Sequence, residues 1–474
     1  MSLSPLKKIA IRQLILLDYI AAALAWFIFW MHRQHLLTGV GYLQSLDKFH
    51  FRDAVNTVII IPGGWLFAYL MSGTYFDLYR KSRLNEINRT LISCLLGAIM
   101  VSMIVFANDT GGYSYFMQEC GHYLLIHTAL ALIFRLFILY RVKVNLTTGK
   151  VGYNTLIIGG NQQAINIYKQ VLENPRVLGN IFIGFIYSNK EASNGMSTYL
   201  PQLGNLSQLE EIIDKHNIEE VIVAVDSAEH HLLENIVTRL CYRPVVVKVL
   251  PDYYDIISGS VKTNNVYDAI LIHIHPDLMP DWQRVFKRMI DIVSSVMALA
   301  LLSPLLLFAA CMVLGSSKGG IIYIQERIGL FGKPFHIYKF RSMYLDAEQT
   351  GPALSSMMDP RITPWGRFMR KWRIDELPQF LNIIMGDMSL VGPRPERRHY
   401  INIISESHAH YKYLHKVKPG LTSWGMVQYG YAENVEEMIA RMKYDLLYIE
   451  NCSLALDVKI IMYTFLVIFQ GRGK

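Results

Sequence analysis

Residues 282–314 read Trp282-Gln-Arg-Val-Phe-Lys-Arg-Met-Ile-Asp291, then Ile292-Val-Ser-Ser-Val-Met-Ala-Leu-Ala-Leu-Leu-Ser303-Pro304-Leu-Leu-Leu-Phe-Ala-Ala-Cys-Met-Val-Leu314. The first ten residues are amphipathic and basic, the pattern of a helix lying at a membrane surface. At about 1.5 Å per residue, the apolar run after them is long enough to cross a hydrocarbon core of about 30 Å. The arm on either side of Pro304 reaches only about half that far. The break therefore decides the topology. Proline removes one helical hydrogen bond, and Ser303 beside it is placed to satisfy the freed carbonyl. A kinked span would put the preceding and following chain on opposite sides of the membrane. A re-entrant helix at 289–314, bending at Ser303 and Pro304, keeps them on one side.

Downstream lies Arg370-Lys-Trp-Arg-Ile-Asp-Glu-Leu-Pro-Gln-Phe-Leu-Asn-Ile-Ile-Met-Gly-Asp-Met-Ser-Leu-Val-Gly-Pro-Arg-Pro-Glu396. The adjacent carboxylates Asp375 and Glu376 follow a basic cluster and suit Mg2+, a hard cation that prefers oxygen ligands. The bases on either side suit a diphosphate. An acidic pair before a proline is also how an ordinary helix begins. Arg394, held between Pro393 and Pro395, offers a preorganised fork to phosphate oxygens, with Glu396 as its alternative partner. Lys339 and Arg341, with Arg361, Arg367 and Arg370, make a second cationic set for nucleotide phosphate, lipid phosphate or membrane headgroups. Asp387 reads either as a further metal ligand or as a turn residue. Gln325, Glu326 and Arg327 follow a β-rich run and brace the fold.

Four strings, Asp375-Glu-Leu-Pro-Gln379, Gly386-Asp-Met-Ser-Leu-Val-Gly-Pro-Arg-Pro395, Gln325-Glu-Arg-Ile-Gly329 and Lys339-Phe-Arg-Ser-Met343, together resemble the bacterial polyprenyl-phosphate sugar-1-phosphate transferases. The resemblance covers 283–474 and implies transfer of a sugar 1-phosphate from a UDP-sugar to undecaprenyl phosphate with release of UMP. It implies Asp375 as the nucleophile that carries a phospho-sugar intermediate, and Glu376 as the Mg2+ carboxylate. It also favours the re-entrant helix, because nucleotide sugars and Mg2+ are supplied in the cytoplasm. One departure stands out. Lys418-Pro-Gly-Leu-Thr-Ser-Trp-Gly-Met-Val-Gln428 replaces the usual Pro-Gly-Ile-Thr-Gly-Trp-Ala-Gln, which bears on nucleotide or sugar selection rather than on the chemistry.

The composition agrees with a membrane enzyme. Of 474 residues, 52% are hydrophobic and 18% charged, more apolar than a soluble enzyme needs. The net charge of +8 suits an anionic membrane face, and no nucleic-acid motif accompanies it. Five scattered cysteines show neither disulfide nor zinc spacing. Apolar stretches at 14–31, 55–72, 91–107 and 123–140 read as four transmembrane helices, the first a retained anchor. Lysines and arginines at 7–12, 80–89 and 141–150 put both ends of this bundle on the cytoplasmic face of the inner membrane, although Arg33, Lys48 and Arg52 weaken the contrast. Pro62-Gly63-Gly64 inside the second stretch requires neighbouring helices to cover the freed backbone. The bundle reads as an anchor with few internal charges, and Arg135 as a snorkelling cation.

From residue 154 the pattern alternates β and α. Gly159-Gly-Asn-Gln-Gln-Ala164 lacks a full Gly-x-Gly-x-x-Gly, so no dinucleotide is read from it. The expected layout is membrane α plus α/β: a transmembrane bundle at 1–150, a degenerate Rossmann-like (CoA-binding-like) module at 151–255, a linker at 256–281, and a mixed, mainly α cytoplasmic catalytic domain at 282–474. Residues 454–470, with Asp457 and Lys459, read as an interfacial helix. A homodimer assembled through the α/β module is a further expectation. Two other functions share parts of this layout. A membrane-bound dehydratase or epimerase needs a complete glycine fingerprint and a Tyr-x-x-x-Lys pair, absent from 154–250. A silent scaffold of polysaccharide assembly predicts erosion of Asp375, Glu376 and Arg394, and all three are present.

Overall fold

In the computed structural model, residues 5–469 are described apart from 40, 43, 106–111, 174–178, 188–194, 226–229, 241–242, 244, 251–271, 275–277, 346, 348–358 and 431. The expected linker at 256–281 falls largely outside the described residues. The chain forms two compact units, and the division between them passes through the strand at 153–158.

The first unit is built on the N-terminal helices. Four of them, Pro5–Leu36, Phe51–Met71, Arg83–Ile104 and Phe116–Thr147, are long and apolar enough to cross a membrane, at the positions the hydropathy indicates. This is a membrane protein. Its aromatic core includes Trp26, Phe29, Trp65, Tyr69 and Tyr123. Gly97 makes room for it, since a Cβ there would stand 2.4 Å from the Trp65 ring. Pro62 does not break its helix. Residues Asn56–Ile60 widen into one π turn before Ile61–Met71. The Val58 carbonyl, four residues before the proline and so deprived of its usual donor, accepts the Tyr19 hydroxyl of the first helix at 2.6 Å.

Arg135 corrects the sequence reading. It is buried and does not snorkel. Its Nε and Nη2 donate to the two oxygens of Asp18, each at 3.0 Å, and its Nη1 to Thr90 Oγ1 at 2.7 Å. Tyr75 donates to Asp18 at 3.1 Å, and Glu86 lies 3.6 Å from Arg135 and 3.5 Å from Lys81. Two carboxylates thus face two cations inside the bundle. An unpaired charge there would be expensive, so each carboxylate is matched by a base on another part of the chain.

The α/β sheet has strand order β3 (Gln202–Asn205), β2 (Asn180–Tyr187), β1 (Tyr153–Ile158), β4 (Glu220–Val223), β5 (Val246–Val249), β6 (Ile272–Ile274). Strands β2 and β3 pair parallel, as do β4 and β5, while β6 runs antiparallel to β5. Helices Gln162–Glu173, Leu209–His216 and His230–Leu240 connect them. At the end of β1, where a doubly wound sheet would receive a pyrophosphate, a Cβ on Gly159 would stand 2.3 Å from the Ala224 carbonyl. That glycine serves the close approach of two backbones.

In the C-terminal region, Asp281–Leu301 and Ser303–Ser316 meet at 64°. Ser303 Oγ donates to the Ala300 carbonyl at 2.8 Å, the group that Pro304 leaves without a donor. The basic face of the first helix docks inward. Arg288 caps the carbonyls of Ile383 and Ile384 at 2.6 and 2.8 Å, Lys287 pairs with Asp457 at 2.6 Å, and Asp291 accepts from the Leu390 amide at 3.0 Å. Asp457, which makes the Leu454–Phe469 helix too polar for a confident span, is therefore buried with a partner and also accepts the Tyr448 hydroxyl. Opposite faces of these helices expose Val293, Val296, Leu301, Leu307, Phe308 and Phe465. Antiparallel strands β7 (Ile322–Ile328) and β8 (Pro334–Phe340) and the parallel pair β9 (Ser389–Val391) and β10 (Gly420–Thr422) complete the frame.

Candidate active site

Thr363 caps the helix Pro364–Lys371 by accepting the Gly366 amide at 2.9 Å. The chain then turns sharply at Arg373, a non-glycine residue in the left-handed region (φ 56°). This turn delivers Ile374–Glu376 as a single 3-10 turn ahead of the helix Gln379–Met385. The acidic pair is thus buried, not displayed on an open helix start. Asn382 docks that helix on β8, accepting from the Tyr338 amide at 3.1 Å and donating to the His336 carbonyl at 2.7 Å. The same strand carries Lys339, so its ammonium reaches the acids.

Three cations converge on Glu376. Lys339 Nζ lies 2.8 Å and Arg394 Nη2 3.0 Å from Oε1, and Arg373 Nη1 lies 3.4 Å from Oε2. Arg394 thus reaches across to Glu376, 18 residues away in the chain. Burial alone would push the Glu376 carboxyl up, but Lys339, Arg394 and Arg373 hold it well below the usual carboxylate range. Asp375 goes the other way, raised by burial and by the neighbouring Glu376 charge. Among the described residues nothing donates a hydrogen bond to Asp375. Burial likewise lowers Lys339, against the pull of Glu376.

The second cationic set divides. Arg370 Nε donates to Ser342 Oγ at 2.9 Å, Arg361 Nε forks onto Asp359 at 2.9 and 3.1 Å, and Arg367 is exposed. Arg341 is buried and turned toward the end of the Ser303–Ser316 helix, donating to the Ser317 carbonyl at 2.7 Å. Asp387 follows a left-handed turn at Gly386. Among the described residues no three His, Cys, Asp or Glu side chains gather as a metal cage. The acid pair still fits Mg2+, which takes one or two carboxylates and fills its shell with phosphate and water oxygens. Asp375 has lone pairs to give, and Glu376 would exchange a cation for the metal. In the sequence Arg327 reads only as a brace and Glu396 only as an alternative partner for Arg394, and Arg441 and Asp445 belong to no recognisable motif. The spacing of Arg441 and Asp445, four apart on one helix, was the available signal.

A family model described as bacterial sugar transferase matches residues 282–471, and one described as CoA-binding domain matches 71–251. The chain is 32% identical over 326 residues to UDP-glucose:undecaprenyl-phosphate glucose-1-phosphate transferase of Escherichia coli K12, covering 68% of each protein. It belongs to the bacterial sugar transferases. Another member of the family, UDP-N-acetylgalactosamine-undecaprenyl-phosphate N-acetylgalactosaminephosphotransferase of Aeromonas hydrophila, is 36% identical over 51% of this chain, and the match spans only 56% of that relative. An uncharacterized sugar transferase of Haemophilus influenzae is 29% identical over 91% of this chain and 92% of its own length. Similarity to this family therefore runs through the N-terminal helices as well as the catalytic region.

Proposed function

We propose that this chain transfers a sugar 1-phosphate from a UDP-sugar to undecaprenyl phosphate and releases UMP, the first membrane step in assembling an exopolysaccharide, capsule or O-antigen repeat unit. The observation that carries this reading is Asp375, a buried carboxylate that accepts no hydrogen bond among the described residues, beside a Glu376 on which three cations converge. An oxygen of Asp375 attacks the phosphorus that bears the sugar. The bond from that phosphorus to the UMP oxygen breaks, and UMP leaves with the electron pair. An oxygen of undecaprenyl phosphate then attacks the same phosphorus, and the bond to Asp375 breaks, restoring the carboxylate. The phosphate oxygens of donor and acceptor are ionised at neutral pH, so positioning and charge supply most of the catalysis.

Lys339, Arg373 and Arg394 transfer their hydrogen bonds from Glu376 to the donor's diphosphate. Glu376 would hold Mg2+, and the metal would supply neutralisation of the leaving nucleotide's charge. Arg370, two residues along the chain from each of the exposed Phe368 and Trp372, is the cation for the lipid phosphate. The catalytic region lies on the cytoplasmic face of the inner membrane, with the pair bent at Ser303 and Pro304 re-entrant. The sugar is open, and the relatives' names supply glucose and N-acetylgalactosamine as first donors to try.

The test is UMP release by the purified protein in nanodiscs, with Mg2+, undecaprenyl phosphate and a panel of UDP-sugars. Release that needs lipid and metal and disappears in Asp375→Asn upholds the reading. A UMP burst without lipid acceptor, with a phospho-sugar mass on the Asp375 peptide, upholds the intermediate, and its absence removes it. Topology is tested separately by Lys318→Cys in a background without other cysteines. Gly319 is unsuitable, since a Cβ there would stand 2.1 Å from Arg341 Nη1. Labelling of Lys318→Cys by an impermeant reagent outside intact cells would reject the re-entrant path.

A further inference from the structure

Behind Arg394 lies a second buried charge cluster that touches neither acid of the site. Glu396 is 7% exposed, and its Oε1 accepts Arg441 Nη2 at 2.8 Å while its Oε2 accepts Arg327 Nη1 at 3.3 Å. Arg327 also donates to the Pro395 carbonyl at 3.2 Å, and the Ile328 amide donates to the Glu396 carbonyl at 3.1 Å. The end of β7 and the helix Val435–Glu450 thus grip the Pro393-Arg-Pro-Glu396 loop from two sides.

Four residues on from Arg441, Asp445 grips a different loop. Its Oδ1 accepts the Gly425 amide at 2.9 Å, which anchors the short helix Trp424–Gln428. The next residue, Met426, places its Sδ 3.5 Å from Arg394 Nη1. One helical turn of Val435–Glu450 therefore holds both loops that meet at the Arg394 guanidinium, whose other nitrogen reaches Glu376. Space confirms how close this joint is. A Cβ on Gly425 would stand 2.6 Å from Arg441 Cγ and 3.0 Å from Asp445 Oδ1.

We infer that Glu396, Arg441 and Asp445 are positioning residues that aim Arg394 at the reacting phosphate, an inference resting on the transferase reading above. Burial would raise the Glu396 carboxyl, yet Arg441 and Arg327 hold it below the ordinary range, so the anchor stays ionised at neutral pH. A guanidinium is useful to a transition state only where its fork is already oriented, and displacement by about 1 Å is worth about 10²-fold in rate. The anchors' action should therefore pass entirely through Arg394.

The experiment is a double-mutant cycle in nanodiscs, reading kcat and KM for UMP release together with UDP binding by calorimetry and melting temperature. Glu396→Gln keeps shape and removes charge; Gly425→Ala changes no charge and presses on Arg441 and Asp445. Each should lower kcat about 10²-fold. In an Arg394→Ala background each should lower it by less than about twofold more, because nothing remains to be aimed. Multiplicative losses in that background, or a wild-type kcat in both single variants, would overturn the proposal. Should Glu396→Gln fail to fold, Gly425→Ala decides alone. If wild type releases no UMP from any donor, the transferase reading has failed. UDP affinity then decides the positioning: equal losses for Gly425→Ala, Arg394→Ala and their combination uphold it, and additive losses refute it.

Discussion

The N-terminal bundle and the catalytic region contain the same two devices, an apolar helix interrupted by proline and a buried group of charges, and they close them differently. At Pro62 the orphaned Val58 carbonyl is served by Tyr19 from another helix, and one π turn keeps the chain a single span. At Pro304 the orphaned Ala300 carbonyl is served from within its own turn by Ser303, and the helix bends by 64°. The charges repeat the contrast. Asp18 is matched by a bidentate arginine and a tyrosine hydroxyl. Three bases crowd onto Glu376, while Asp375 accepts no hydrogen bond among the described residues. A buried charge whose partners are all internal holds helices together, whereas one left unpaired among surplus cations is ready for a ligand.

The sharpest way to break this contrast is to remove the carboxylate left open. Asp375→Asn should reduce UMP release by roughly 10⁴-fold or more, as loss of a nucleophile does, with the melting temperature unchanged or raised. Residual turnover near wild type would move the chemistry elsewhere. In the bundle the effect should fall on stability instead. Arg135→Met strands Asp18 and should cost roughly 3–5 kcal/mol, whereas Asp18→Leu combined with Arg135→Met should recover most of it. A double variant as unstable as the single one would show that the pair does more than cancel its own charges.

Smaller effects test the proline sites. Tyr19→Phe leaves the Val58 carbonyl without a donor and should cost about 1–3 kcal/mol in unfolding from detergent, with turnover of the folded fraction unchanged. A neutral result would mean the π turn alone absorbs Pro62. The smallest change expected is one of slope. Glu396 has a folded pKa below its unfolded value, so its stabilisation is complete above about pH 4.3 and is lost as pH falls through the lower folded value. The fall in melting temperature on acidification below about pH 4.3 should therefore be shallower in Glu396→Gln than in wild type. Parallel curves would mean that Arg441 and Arg327 do not hold the carboxylate as drawn.

Much of the molecule was legible in the chain. Apolar run lengths located the four helices, β and α alternation located the sheet, and Ser303-Pro304 announced both the bend and the hydroxyl that relieves it. Those are local signals, carried by covalent neighbours or by a short period. The acidic pair was also visible, because Asp375 and Glu376 are adjacent and flanked by bases within a few residues. What failed was pairing at a distance. Arg135 looked like a cation heading for the surface because its partner Asp18 is 117 residues away. Arg341 looked like a phosphate ligand because it sits two residues from Lys339, yet β8 ends at Phe340, so Arg341 leaves the strand's register and turns toward a helix end while Lys339 faces the acids.

The sequence by itself determined which segments are apolar, where they must bend, and which residue types stand ready for phosphoryl transfer, since period, proline geometry and local charge are properties of the chain. Only the tertiary structure decided which charges are spent on each other and which remain for substrate. Desolvation and Coulomb attraction act through space, and Glu396 meets Arg441 across 45 residues only after both loops around Arg394 have folded onto one helix.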